Sequence, residues 1–297
     1  MTHCAIDMQD VQYQYPDGSV ALDGINLQVG RRERAAILGA NGAGKSTLLA
    51  VMCGVLQPSR GTIKILETKL THKTTRRLRA SVGLVFQEPD NQLFMPTLWE
   101  DVAFGPLNMG LSGKEVESRV EEALEVVGLV ELRDRPPHHL SVGEKKRAAI
   151  ATVLAMHPKI LVLDEPTSHL DPKSRADFIA FLAELHAHGD LTLITATHDV
   201  ESVPLFADRA YVLDKGRIVG AGTVPEVFAS PDLLAEAHLA PPILTQLFQE
   251  VPFIRERFKN EPLPLTIHDA ATALRRLQFG SAGCTRQRCS LPRIRDW

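Results

Sequence analysis

The sequence is poor in the features that mark secreted, membrane-spanning and nucleic-acid-binding proteins. Its four cysteines among 297 residues are too few for a disulfide framework, which favours a reducing compartment. The 33 basic and 36 acidic side chains give a formal net charge of −3, which argues against binding nucleic acid by bulk positive charge. No apolar run approaches the roughly 20 residues that a membrane-spanning helix needs. Residues 1–7 contain neither the basic nor the apolar part of a secretory signal. We therefore expect a chain that is not secreted and does not cross a membrane.

The residues that are present have the composition of an ordinary globular protein. Apolar residues make up 44% and charged residues 23% of the chain, enough for a sizeable core. Strand-like and helix-like stretches alternate after residue 30, which predicts an α/β domain with a largely parallel sheet. Earlier, residues 13–17 and 21–29 flank a Pro-Asp-Gly turn and predict a small antiparallel flap. Residues 280–297 are rich in arginine without an apolar period, which favours an appended or partly disordered end.

The strongest chemical signal is a glycine-rich stretch between a predicted strand (34–38) and a predicted helix (45–53). It reads Gly39, Ala40, Asn41, Gly42, Ala43, Gly44, Lys45, Ser46, Thr47 and fits the pattern G-x-x-x-x-G-K-[ST]. Glycines let successive backbone N–H groups turn toward phosphate oxygens, and the following helix directs its positive end at the same phosphates. Lys45 is expected to bridge the β- and γ-phosphates, and the Ser46 hydroxyl to bind Mg²⁺. An ordinary glycine-rich turn is the alternative, but the strand–helix context favours phosphate binding.

A second signal is the apolar run 160–163, which is followed by two carboxylates, Asp164 and Glu165. The run predicts a strand buried on both faces. Its end places Asp164 near the nucleotide, where it would hold the water shell of a metal ion, and positions Glu165 to polarise an attacking water. Alone, a strand followed by Asp-Glu is mostly a structural pattern. Downstream of a phosphate loop, the functional interpretation is favoured.

A third signal is the pentad 140–144, Leu-Ser-Val-Gly-Glu, which opens a predicted helix. Ser141 and Glu144 have the spacing of a capping box, which needs no ligand. The same geometry also makes a second outward-facing anion site, formed by Ser141, the N–H of Gly143 and the helix dipole. A single ATP does not need two such sites in one subunit.

Taken in chain order, 39–47, 140–144 and 160–165, the three patterns resemble those of ATP-binding cassette (ABC) ATPases, and the similarity runs over about residues 5–240. Further similarities follow the family order: residues 168–171 resemble the D-loop, Gln87 the Q-loop glutamine, and His198 the switch histidine. Tyr15 resembles the aromatic residue that stacks on adenine. The chain departs from the family at Val142, where glycine is common, at Glu144, where glutamine is commoner, and at His169, where a small residue is usual.

The resemblance implies a fold and a division of the chain. We expect an α/β P-loop NTPase (RecA-like) core with an N-terminal antiparallel β subdomain and an inserted α-helical signature subdomain at about residues 88–158. The ATPase domain would occupy residues 1–240. Residues 241–297 would form a C-terminal extension with a partly disordered tail.

The resemblance also implies ATP and Mg²⁺ as cofactors and assigns roles to residues. The residues expected to bind nucleotide are Tyr15, Gly39, Asn41, Gly42, Ala43, Gly44, Lys45, Ser46 and Thr47, together with Ser141, Gly143 and Glu144 from a second subunit. The residues expected to act in hydrolysis are Glu165, His198 and Gln87. The residues expected to bind Mg²⁺ are Ser46, Gln87 and Asp164.

Two stretches narrow the resemblance. Residues 86–94 and 99–106 are similar to the ATPase subunits of energy-coupling-factor importers, and residues 144–147 and 237–239 look most like the cobalt/nickel branch. Vitamin importers share much of this pattern. The implied partners are an integral membrane subunit, a substrate-binding membrane component and a second copy or paralogue of the ATPase, with no nucleic acid. The expected location is peripheral, on the cytoplasmic face of the cell membrane.

Two other classes compete with the importer hypothesis. A non-transport ABC ATPase acting on DNA or the ribosome usually has a long coiled-coil insertion or two cassettes, and this sequence has neither. A phosphotransferase or GTPase could use the same phosphate loop. The pentad 140–144 and the D-loop argue against that class.

Overall fold

The computed structural model describes residues 4–258 and 261–279. The predicted disorder of residues 280–297 therefore concerns a segment outside the described residues. Within the described ranges, no helix is both long and apolar enough to cross a membrane.

The strands in chain order are β1 (Cys4–Gln14), β2 (Val20–Gly30), β3 (Arg34–Leu38), β4 (Arg60–Ile65), β5 (Thr68–Lys69), β6 (Val82–Val85), β7 (Ile160–Asp164), β8 (Thr192–Thr197), β9 (Arg209–Asp214) and β10 (Arg217–Thr223). The helices are α1 (Lys45–Met52), α2 (Thr75–Arg79), α3 (Leu98–Asn108), α4 (Gly113–Val127), α5 (Val142–Leu154), α6 (Pro172–His188), α7 (Val203–Phe206), α8 (Val224–Phe228), α9 (Pro231–Glu236), α10 (Ile243–Glu250), α11 (Pro252–Arg257) and α12 (Ile267–Phe279).

Two sheets organise these elements. The first has the order β2-β1-β4-β5, with antiparallel pairings. The second has the order β10-β9-β3-β8-β7-β6, and its strands pair in parallel up to β9, which pairs with β10 in the antiparallel sense. The predicted fold class, an α/β core with an antiparallel subdomain, is thus confirmed.

Strand register brings three chain segments to one edge of the second sheet. Leu38 at the end of β3 is paired with Thr197 at the end of β8. Asp164 at the end of β7 is paired with Ala196. Because β8 lies between β3 and β7, the segments that follow these strands leave the sheet side by side, at the carboxyl edge where α/β sheets bind ligands.

The antiparallel flap is larger than the sequence pattern indicated. β1 begins at Cys4, and a register shift between Met8 and Val11 interrupts its alternation of apolar and polar residues. Strict period-two alternation therefore does not predict the first part of this strand. The prediction of a strand over residues 13–17 was wrong at its end. Residues 15–17 lie in the turn, where the Gly18 N–H donates to the Tyr15 carbonyl and Asp17 accepts from the Ser19 N–H.

The inserted helices α3, α4 and α5 share an apolar core with β7 and α6. Helix α4 is capped reciprocally by Ser112 and Glu115 and ends at Gly128, which lies in the left-handed region at φ 71°. Where α5 lies on the parallel sheet, Gly83 of β6 allows a close approach. A Cβ there would stand 1.8 Å from Val153 Cγ1.

Two regions complete the core. Cys53 is buried beside α1, and burial raises the pKa of its thiol to about 12. After residue 241, helices α10 to α12 pack around Phe248 and Phe258, whose ring centroids are 5.5 Å apart. The sequence patterns did not predict these helices, and the boundary at residue 240 stays a prediction.

Candidate functional site

A cavity of about 1070 Å³ opens at the carboxyl edge of the parallel sheet. Its walls come from the segments that follow β3, β6, β7 and β8, together with the turn after β1. The lining includes Tyr15, Asn41, Gly42, Gly44, Lys45, Ser46, Thr47, Gln87, Asp164, Glu165, Ser168, His169 and His198. The structure thus brings together most of the residues that the sequence assigned to nucleotide binding and hydrolysis.

The glycine-rich loop wraps the start of α1, as the motif requires. Gly42 and Gly44 have φ values of 84° and 104°, which a side chain rarely adopts. A Cβ on Gly44 would also stand 2.9 Å from the Ala21 carbonyl oxygen. Lys45 Nζ donates to the Gly39 and Ala40 carbonyl oxygens at 2.9 and 3.2 Å. The ammonium therefore lies folded back into the loop that would surround a phosphate chain.

Glu165 is the most extensively bonded side chain of the site. Its carboxylate lies 3.3 Å from Lys45 Nζ and accepts hydrogen bonds from Thr197 Oγ1 at 3.0 Å and the His198 N–H at 3.1 Å. His198 Nδ1 is 2.8 Å from the same carboxylate. With 5% of the residue exposed, Glu165 is held almost out of water. A carboxylate fixed in this way is oriented for work on a bound water.

Asp164 presents an oxygen that the protein itself does not satisfy. The residue is buried, and its Oδ1 has no hydrogen-bond partner. Burial raises the pKa of Asp164, and a hydrogen bond from the Ser46 hydroxyl works in the opposite direction. A hydroxyl and a carboxylate with a free oxygen are the hard donors that Mg²⁺ prefers. The residues present therefore fit a magnesium ion.

Tyr15 and Gln87 lie at the rim of the cavity. The Tyr15 hydroxyl and Thr47 Oγ1 are 2.8 Å apart, and the Tyr13 and Tyr15 rings are nearly perpendicular, with centroids 5.1 Å apart. Tyr15 is 38% exposed, so it keeps an open surface beside the loop. Gln87 reaches the cavity from the segment after β6. Adenine stacking and phosphate sensing by these two residues stay predictions.

The pentad 140–144 stands apart from this cavity. Ser141 is exposed at the start of α5, and neither Gly143 nor Glu144 lines the cleft. Glu144 Oε2 accepts from the Ser141 N–H and hydroxyl at 2.7 and 2.8 Å, and these two hydrogen bonds lower the pKa of Glu144. The predicted capping box is present, and its helix terminus faces outward.

Sequence reasoning missed two groups that contact the site residues. Thr197 reads as the last residue of a buried strand, yet its hydroxyl bonds the Glu165 carboxylate. Lys146 follows another lysine in a polar stretch and reads as exposed, yet only 4% of it is accessible. A threonine immediately before the predicted switch histidine was a usable signal. The sequence contains no comparable signal for Lys146, because helical spacing alone does not show which groups a lysine side chain contacts.

The buried pair of Lys45 and Glu165 leads to a stability prediction. Each side chain is 7% exposed, so Lys45→Met leaves a buried carboxylate without its cation and should lower the free energy of unfolding by about 3 kcal/mol. The double variant Lys45→Met/Glu165→Gln should recover most of that loss, because no unpaired charge remains. Urea unfolding without nucleotide or divalent ions measures both. A double variant no more stable than Lys45→Met would show that the charge pair is not the cause.

Comparison with known proteins agrees with this geometry. A family model described as "ABC transporter" matches residues 22–168. The chain is 46% identical over 265 residues to the energy-coupling factor transporter ATP-binding protein EcfA of Methanoculleus marisnigri, covering 89% of this chain and 95% of that protein.

Two solved structures are also similar. One is cbiO1 from Clostridium perfringens, described as part of the ABC transporter complex cbiONQ, with 40% identity, a TM-score of 0.72 and coverage of 86% of this chain and 99% of that one. The other is a dimeric ATP-binding cassette in a post-hydrolysis state with ADP and phosphate, with 28% identity, a TM-score of 0.65 and coverage of 74% and 98%. The chain belongs to the ABC transporter ATP-binding proteins, in the energy-coupling-factor group, and it is an ATP-hydrolysing subunit.

Proposed function

We propose that this ATPase powers an energy-coupling-factor importer for a transition metal ion, cobalt or nickel. The observation that carries a paired ATPase is the pentad 140–144 at an exposed helix terminus, outside the chain's own nucleotide cavity. The importer assignment is supported by the similarity of residues 86–94 and 99–106 to importer ATPases and by the 46% identity to EcfA. The metal assignment is supported by the cobalt/nickel-like stretches at 144–147 and 237–239 and by the 40% identity to cbiO1. An importer of a vitamin with the same architecture is the alternative. A non-transport ABC ATPase is less favoured.

The active unit in this proposal is a pair of ATPase subunits, either two copies or this chain with a paralogue. Ser141, Gly143 and Glu144 would meet the γ-phosphate bound by the partner, because the helix terminus offers N–H groups and a positive dipole end. Pairing with a second copy would be isologous, and in either kind of pair two composite sites would form together. The dimeric state of the similar cassette supports this arrangement.

The residues of the cavity divide the work of hydrolysis. The N–H groups of the loop 39–47 and Lys45 would hold the phosphates, while Tyr15 covers the adenine. Glu165 would orient the attacking water and accept its proton, held in place by Thr197 and His198. Gln87 and His198 would respond to the γ-phosphate. Ser46 and Asp164, together with Gln87, would hold Mg²⁺, which neutralises charge on the phosphate oxygens.

A membrane partner has a suitable surface on this chain. Phe86, Phe94 and Phe104 are 43%, 62% and 42% exposed and line a cleft of about 1270 Å³ between the sheet and α3. Arg76 and Arg77 border the same cleft. An exposed apolar patch with a polar rim is typical of a protein-binding site. We assign it to the integral membrane subunit, with the chain peripheral on the cytoplasmic face and the substrate-binding component held by that subunit.

The role of Glu165 is tested by Glu165→Gln. The amide keeps the shape of the side chain but cannot accept the proton, so turnover should fall by about 10² to 10⁴-fold while ATP affinity persists. Phosphate release and binding of a fluorescent ATP analogue measure the two effects. Asp232→Asn, on the short helix α9, is the control and should behave as the unmodified chain does. Undiminished turnover in Glu165→Gln would reject Glu165 as the base.

The role of the pentad is tested by Ser141→Arg, with Ser112→Arg as a matched control. Both serines cap a helix of the inserted subdomain in the same reciprocal arrangement, so both variants should lose about 1 kcal/mol of stability. Ser141→Arg alone should prevent ATP-dependent dimerisation in the Glu165→Gln background. The arginine side chain is larger than that of serine and would occupy the space that the partner's γ-phosphate needs. Light scattering with and without ATP decides the matter. Equal dimerisation of the two variants would count against the composite site.

The cargo is tested by uptake in cells that lack the gene for this chain. Complementation with the intact gene should restore accumulation of labelled cobalt or nickel but leave vitamin uptake unchanged. The gene that carries Glu165→Gln serves as the control and should restore accumulation of neither cobalt nor nickel. Restoration of a vitamin alone would select the alternative importer, and restoration of no substrate would argue against a transport role.

A further inference from the structure

Lys146 is a buried lysine that the hydrolysis scheme above does not use. It lies in the second turn of α5, the helix that begins at the exposed Ser141, and is 4% exposed. Burying an ammonium is costly unless acceptors surround it. Its Nζ lies 3.2 Å from the Gln87 carbonyl oxygen, 3.5 Å from the Glu165 carbonyl oxygen and 3.3 Å from Ser168 Oγ. Burial lowers the pKa of Lys146, and the carboxylates of Glu88 and Glu165 act in the opposite direction.

The carbonyl of Glu165 is where this contact matters. Glu165 has φ 43°, in the left-handed region that is unfavourable for a non-glycine residue. The conformation is held by the Glu165 N–H, which donates to the Ala196 carbonyl oxygen at 2.9 Å. On the other side, the Glu165 carbonyl accepts from Ser168 Oγ at 2.8 Å and from Lys146. A backbone held in this way sets the direction of the carboxylate.

One cation thus contacts two segments that follow different strands. Gln87 follows β6, and Glu165 and Ser168 both lie on the segment that follows β7, while Lys146 itself is part of α5. A small shift of α5 moves the ammonium relative to both carbonyl oxygens. Such a shift is what a partner nucleotide seated on the helix terminus at Ser141 would produce.

We propose that Lys146 is a positioning residue through which the signature helix α5 sets the placement of Glu165 and Gln87. The inference rests on the proposed roles of those two residues. Lys146 does not touch nucleotide in this scheme. It acts through the two carbonyl oxygens, so that Glu165 reaches its working direction only when α5 is seated. The position of the start of α5 and the direction of the Glu165 carboxylate would then change together.

The test compares ATP turnover with nucleotide affinity in Lys146→Met, which keeps the length of the side chain and removes its donors. A misplaced carboxylate should lower kcat by about 10-fold to 10²-fold, while KM and the Kd for ATP stay within about twofold because binding is unaffected. Lys146→Arg restores donors and charge and should recover most of the lost kcat. An unchanged kcat in Lys146→Met would overturn the proposal, as would a parallel loss of kcat and ATP affinity, which marks general disruption.

Lys145→Met is the matched control. Lys145 is the preceding residue of α5, and its ammonium pairs with Asp90 Oδ1 at 2.7 Å on the outer side of the subdomain. Its loss should leave kcat and ATP affinity unchanged, and an equal loss in both variants would overturn the assignment to Lys146. If Lys146→Met does not fold, Ser168→Ala removes one acceptor of the Lys146 ammonium together with the other side-chain donor to the Glu165 carbonyl oxygen, with a loss of about fivefold in kcat expected. Unchanged kcat there would also overturn the proposal.

Glu165→Gln, assayed in parallel, separates the two levels of inference. If Glu165→Gln retains turnover, the proposed hydrolytic role fails, whatever Lys146→Met does. If Glu165→Gln is inactive and Lys146→Met turns over ATP at the rate of the unmodified chain, the positioning role alone fails.

Discussion

Lys45 Nζ and Glu165 Oε1 lie 3.3 Å apart at a place where each side chain is 7% exposed. Neither charge could be buried alone without a cost of several kcal/mol, so the glycine-rich loop and the end of β7 stabilise each other in the folded chain. The strand order makes this possible. Because β8 lies between β3 and β7, Thr197 and His198 at its end lie beside this pair and bond the carboxylate. The rest of the cleft is arranged around this pair.

The positions of two helix N-termini, those of α1 and α5, support the proposal that the ATPase works in pairs. The proposed anion sites lie at the start of α1, inside the cleft, and at the exposed start of α5, outside it. Because the pentad 140–144 does not line the chain's own cleft, one molecule would not close both sites around a single nucleotide. In the proposed pair each chain supplies the missing half of its partner's site. Lys146, seated between α5 and the Glu165 carbonyl, would then make closure and hydrolytic geometry depend on each other.

Spacing patterns predicted much of the site, but unevenly. The loop 39–47, Asp164 with Glu165, and the pentad 140–144 were identified because phosphate binding and helix capping demand particular residue types at particular separations. His198, Gln87 and Tyr15 depended on family resemblance, since a lone histidine, glutamine or tyrosine carries no such constraint. The structure places all three at the cleft. β1 was predicted too short because a bulge breaks its alternation, and α10 to α12 were not predicted at all.

The sequence by itself determined the local chemistry: a loop that turns around phosphates, a buried strand ending in two carboxylates, and a helix capped by Ser141 and Glu144. Each of these depends on residues fewer than ten positions apart. The order of residue types within such a short segment therefore sets its hydrogen bonds and its backbone conformation. Tertiary structure alone decided that Thr197 bonds Glu165, that Asp164 keeps a free oxygen, and that Lys146 reaches two carbonyl groups. Those contacts join residues brought together by strand order and helix packing, and the distance between such groups is a property of the folded chain.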